Sequence, residues 1–119
     1  MNKKLKDTIE ELEWFIVKDG ASWALTKFTP HDIDFGIMVS NVEFLEAISD
    51  FIDNFNVDHF VNHYQYEEID DNHFITRPIE EVVEDAKWAK EELIELYNAI
   101  KDLEVFNGDA GKESKEKAD

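Results

Sequence analysis

The sequence predicts an α+β fold: a single small domain with about three helices and one or two β-hairpins, the alternative being an all-α bundle. Three observations carry this expectation. Apolar residues recur at helical spacing near both ends of the chain, and residues 21–39 alternate as a half-buried strand does. The length of 119 residues gives room for one core but not two. The domain is set at residues 1–106. Residues 107–119, NGDAGKESKEKAD, lack apolar periodicity and read as a disordered polar tail.

Residues 3–19 are expected to form the first helix, because Leu5, Ile9, Leu12 and Ile16 are spaced four, three and four apart, with Phe15 widening the face. Gly20 would be its C-terminal stop. Residues 21–39 read as a β-hairpin, with a short helix started by Thr29-Pro30 as the rival. Residues 41–55 read as a helix opened by a capping box of Ser40 and Glu43, with Phe44, Leu45, Ile48, Phe51, Ile52 and Phe55 forming a broad apolar face. Residues 57–76 carry helical spacing at first. The tyrosines Tyr64 and Tyr66, and Phe74 and Ile75 around Asp70-Asp71-Asn72, favour a hairpin from about residue 60. Residues 78–104 read as the longest helix. Pro78 and the acids Glu80 and Glu81 suit its first turn, and Ile79, Val82, Ala86, Ala89, Leu93, Leu96, Ile100 and Leu103 form a seam over four heptads. That seam could span the domain's own core or, with its alanines making it thin, hold a second copy.

Composition narrows the function. With 29 Asp and Glu against 12 Lys and Arg, the formal net charge is −17. Direct binding to DNA, RNA or an anionic membrane needs clustered Lys and Arg, so neither is expected. There is no Cys, which excludes disulfides, thiolate catalysis and thiolate metal sites. The N-terminal MNKKLKDTIEELEWF lacks the apolar run of a signal peptide, and no segment approaches the ~18 apolar residues of a membrane helix. A cytoplasmic location is expected.

The charge is local. Between Lys27 and Arg77, 49 consecutive residues contain no Lys or Arg and carry −11 of the −17. The acids there are Asp32, Asp34, Glu43, Glu46, Asp50, Asp53, Asp58, Glu67, Glu68, Asp70 and Asp71. Glu43, Glu46, Asp50 and Asp53 are spaced three, four and three, which places them on one helix face opposite the apolar one. Neighbouring carboxylates would lie ~5–6 Å apart, close enough to repel by a few tenths of a kcal/mol per pair. Selection for stability alone would put Lys among them. Glu81, Glu84, Glu91, Glu95 and Asp102 form a second acidic row on the long helix, with Trp88 among them as a candidate interface anchor.

All four histidines, His31, His59, His63 and His73, lie in the same window. On a helix, His59 and His63 would share a face with Glu67 a turn on, a set that could ligate a divalent metal in a metal-dependent enzyme. The glutamate of an H-E-x-x-H motif is missing, so the expected role is histidines whose pKa is raised by nearby carboxylates, able to make partner binding pH-sensitive. The clusters Glu80-Glu81 with Glu84-Asp85, and Glu91-Glu92 with Glu95, resemble the Mg²⁺-holding helices of all-α nucleotide pyrophosphohydrolases but do not reproduce their E-x-x-E … E-x-x-D spacing. No glycine-rich phosphate loop, nucleophile elbow or calcium loop is present.

In size, charge and lack of cysteine, the chain resembles small acidic inhibitors from conflicts among phages, plasmids and bacteria. These are anti-restriction and anti-CRISPR proteins that imitate nucleic acid, and immunity proteins that neutralise nuclease toxins. The expectation is therefore a non-enzymatic inhibitor without a cofactor that occupies the basic DNA- or RNA-binding groove of a nuclease. A phage-encoded antagonist is the leading form and an immunity protein the alternative. Its partner-binding residues would be Glu43, Glu46, Asp50, Asp53, Asp58, Glu67, Glu68, Asp70, Asp71 and Trp88, with Tyr64 and Tyr66 as further anchors. The chain would be a monomer or a homodimer through residues 79–103.

Overall fold

Asn2 starts the first helix, its side chain accepting from the Leu5 N–H at 2.8 Å. This helix, α1, is Lys3–Glu11, shorter than the apolar spacing implies. Glu13 has a φ of 71°, a left-handed conformation that a continuing helix cannot contain. Beyond it Phe15–Asp19 is strand β1, as its aromatic and β-branched residues favour. The expected helix over 3–19 is thus corrected: Ile16 keeps an inward position, but from a sheet. Gly20 is likewise no helix stop. With a φ of +62° it forms, with Ala21, the two-residue turn between the paired Asp19 and Ser22.

The computed structural model describes residues 1–103, so the tail expected at 107–119 lies outside the described residues. Strand β2 (Ser22–Phe28) and strand β3 (Asp34–Ser40) form the expected hairpin and, with β1, an antiparallel sheet of order β1-β2-β3. The register pairs Ile16 with Leu25 and Leu25 with Ile37, so these three share the inner face, along with the buried Phe35 and Val39. Phe15, Val17 and Met38 lie on the outer face and are exposed.

Helix α2 is Phe44–Asp53. The expected capping box does not form, because Ser40 is still paired with Ser22 in the sheet and Glu43 itself holds the N-cap position without a side-chain bond. Helix α3 (Val57–Tyr64) replaces the first part of the expected hairpin. Its signal was Asn56, whose side chain accepts from the His59 N–H at 3.0 Å. The hairpin then runs from strand β4 (Tyr66–Asp70) to strand β5 (His73–Thr76), with Asp70 Oδ1 accepting from the Asn72 N–H at 3.0 Å in the turn.

Helix α4 (Ile79–Ile100) closes the domain. Val82, Ala86, Ala89, Leu93, Leu96 and Ile100 are completely buried, and α1, α2 and α3 all pack against this helix. Full burial of a Leu or Ile contributes ~1.5–3 kcal/mol, so Leu93, Leu96 and Ile100 carry most of what the seam adds to the core. From Val82 to Ile100 the seam packs against the domain's own elements, while Ile79 stands exposed. Among the described residues no helix is long and apolar enough to cross a membrane.

Candidate functional site

Helix α2 is held by its apolar side, where Phe44 and Ile48 are buried. This fixes the opposite side outward, and Glu43, Glu46, Asp50 and Asp53 are all exposed. None of the four forms an ion pair with a described Lys or Arg. Their placement also works against the helix. Asp50 and Asp53 lie in its last turn, which carries no basic residue, and there they face the negative end of the helix dipole. Such placement costs ~0.3–1 kcal/mol per charge at an exposed helix end. The stripe is therefore destabilising twice over, through mutual repulsion and through the dipole.

Beside the stripe, a cleft of about 580 Å³ opens between β3, α2 and α3, with Leu93 of α4 at its base. Phe35, Phe51, Phe55, Phe60 and Tyr64 give it aromatic walls. Their rings interlock, with centroids 5.8 Å apart for Phe35–Phe60, 6.0 Å for Phe55–Phe60 and 4.6 Å for Phe60–Tyr64. Asp50, Asn54, Asn56, His59 and His63 supply the polar groups. Asp50 thus belongs to both the stripe and the cleft. Burial pushes the Tyr64 phenol above its usual pKa, while a hydrogen bond from the Gly36 backbone opposes the shift.

The other expected site residues are dispersed. Asp58 is exposed in the first turn of α3, where the dipole suits it. Glu67 pairs with Arg77 at 2.7 Å and is partly neutralised within the chain, while Asp70 meets His73 Nδ1 at 2.7 Å. The Asn72 N–H, and then His73, hold the Asp70 carboxyl below its ordinary pKa. Glu68 and Asp71 are exposed on β4 and in its turn. Tyr66 and Phe74 stand exposed on the same hairpin, whereas Tyr64 is a half-buried wall of the cleft. Trp88 is also half-buried, its ring 5.6 Å from the Lys27 ammonium, and it does not line the cleft. His59 and His63 do line it, but Glu67 faces Arg77 instead, and no group of three or more metal-ligating side chains is assembled among the described residues.

A buried polar cluster escaped the sequence reading. Asp85, read there only as part of the Glu80-Glu81 and Glu84-Asp85 carboxylate cluster, is completely buried. It accepts from Thr29 Oγ1 at 2.5 Å and meets His31 Nδ1 at 2.8 Å. Its hydrogen bond raises the His31 pKa, burial opposes this, and the charges of Asp85, Glu81 and Glu84 add to the rise. The overlooked signal is that Asp85 falls between Val82 and Ala86, at the edge of the apolar seam. Nearby, Lys27 Nζ donates to the Leu12 carbonyl at 2.6 Å and to Glu92, lying between the rings of Trp14 and Trp88. The first cluster ties the loop between β2 and β3 to α4, and the second ties β2 itself to that helix.

Comparison with protein-family models, curated proteins and solved structures gives no match, so the reading of the site rests on its geometry. That geometry combines an exposed row of carboxylates with an adjoining aromatic cleft.

Proposed function

We propose that the chain is a non-enzymatic acidic inhibitor that occupies the basic DNA- or RNA-binding groove of a nuclease-type enzyme. Its setting would be the bacterial cytoplasm, as a phage-encoded anti-CRISPR or anti-restriction protein. The observation that carries this reading is the row Glu43, Glu46, Asp50 and Asp53, exposed and without a described cationic partner. One carboxylate per helical turn, ~5–6 Å apart, is of the same order as the phosphate repeat of a nucleic-acid strand. A groove that concentrates positive potential for phosphates attracts such a row equally, and opposite fields raise the encounter rate. Asp58, Glu68 and Asp71 extend the negative surface. Glu67 contributes less, because Arg77 already faces it.

The test is expression of the chain in bacteria armed with CRISPR or restriction nucleases and challenged with phage. Wild-type chain is expected to restore plating against its target system. Replacing Glu43, Glu46, Asp50 and Asp53 together by Lys should abolish this at unchanged protein level. Full inhibition by the reversed chain would remove the stripe as the site.

A further inference from the structure

The stripe explains attraction to a basic surface, but charge alone leaves the cleft unused. Every residue lining the cleft except Leu93 comes from the 49-residue stretch without Lys or Arg. Phe51 is 40% exposed at its wall, an apolar surface turned to solvent directly beside Asp50. At about 580 Å³ the space exceeds what a bridging water needs and lies in the ~300–1,000 Å³ range of ligand pockets. On α2, Ala47, Phe51 and Asn54 face the cleft, Asp50 stands at its rim, and Glu46 and Asp53 lie about a quarter turn further round the helix. An occupant is therefore met by aromatic rings on one side and carboxylates on the adjoining one. Complementarity then specifies both its apolar and its cationic groups.

We infer that this cleft is the anchor pocket of the stripe: it takes large apolar side chains from a basic amphipathic helix of the partner protein. Lys or Arg at one-turn intervals along that helix pair with Asp50 and the neighbouring stripe carboxylates. This rests on the proposal that the stripe meets a basic protein, and it adds what that protein must present. A helix laid along α2 repeats its side chains every ~5.4 Å, the interval of the stripe. Apolar positions three or four residues apart would enter the cleft as in other helix-in-groove contacts. The small Ala47 leaves that entry open. Desolvated anchors of this kind carry most of an interface's energy, and rim charges mainly set rate and specificity.

The experiment uses the full chain and three synthetic peptides read by fluorescence anisotropy. One is an amphipathic Leu/Lys helix, one has every Leu replaced by Gln, and one has every Lys replaced by Gln. The Leu/Lys peptide is expected to bind at least about tenfold tighter than either of the others. Ala47→Trp, which fills the cleft, and Asn54→Trp, at its exposed edge, should each erase the advantage of Leu over Gln while leaving the Gln/Lys peptide unaffected. Circular dichroism melts of both variants establish that the fold is retained. Equal binding of the Leu/Lys and Gln/Lys peptides, or an undiminished Leu preference in both Trp variants, would overturn the anchor pocket. Leu/Gln binding as tight as Leu/Lys binding would overturn the basic occupant. The stripe is tested separately: Lys at Glu43, Glu46, Asp50 and Asp53 should weaken both Lys-bearing peptides. If it does not, the inhibitor reading fails even where a Leu preference survives.

Discussion

The contact between the sheet and α4 and the outer face of α2 treat charge in opposite ways. At the first, each charge is answered: Asp85 by Thr29 and His31, Lys27 by Glu92, the Leu12 carbonyl and two tryptophan rings. These groups lie inside or at the edge of the core, where an unanswered charge would be costly. On α2 four carboxylates stand in water without a described counter-charge, two of them at the unfavourable end of the helix dipole. One chain thus places its cations with care in one region and withholds them from another. The acids at the contact with α4 are partnered, and those of the α2 stripe stand in water.

The sharpest way to break this contrast is to exchange the two kinds of acid. Asp85→Ala would leave the buried Thr29 hydroxyl and the His31 ring without their acceptor and is expected to cost about 2–4 kcal/mol in urea denaturation. Asp50→Ala should cost almost nothing. Similar costs for both would erase the distinction. Lys27→Met should come next, losing about 1–2 kcal/mol with the Glu92 bond and both ring contacts, observable as a lower Tm.

A pH series sharpens the same point. The His31 pKa is raised in the folded protein, chiefly by its bond to Asp85. Its stabilising contribution is therefore fully present below the unfolded value of ~6.5 and is lost as pH rises through the raised folded value. The stability difference between wild type and His31→Gln should shrink from pH 6 toward pH 9. A difference that grows over that range would mean the bond favours the neutral ring. The smallest expected effect has the opposite sign. Asp53→Lys relieves both dipole and like-charge repulsion, so it should stabilise the domain by about 0.3–1 kcal/mol while weakening the partner complex. Opposed changes in stability and binding mark a residue kept for function.

Much of this was legible in the sequence, for physical reasons. The α4 seam and the β2–β3 alternation each satisfy one period over a long stretch, and the stripe on α2 follows directly from spacing. The boundaries that failed were places where two periods coincide. Ile16 is four residues after Leu12, which suits a helix, yet it is also the inward residue of a strand between the outward Phe15 and Val17. Ser40 has the chemistry of a cap, but pairing with Ser22 held it in the sheet. The cleft was invisible because Phe35, Phe51 and Phe60 come from three elements whose meeting depends on tertiary packing. The Thr29–His31–Asp85 cluster joins residues more than fifty positions apart, beyond the reach of any local pattern.

The most direct measurement is competition on one purified target nuclease between the chain and a labelled DNA or RNA duplex, run across a salt series. Occupancy of the groove by the stripe predicts that wild-type chain displaces the duplex, that displacement weakens as salt screens the stripe, and that the Glu43, Glu46, Asp50 and Asp53 to Lys variant does not displace it at all. Binding of chain and duplex to the nuclease at the same time, or undiminished displacement by the reversed variant, would contradict it.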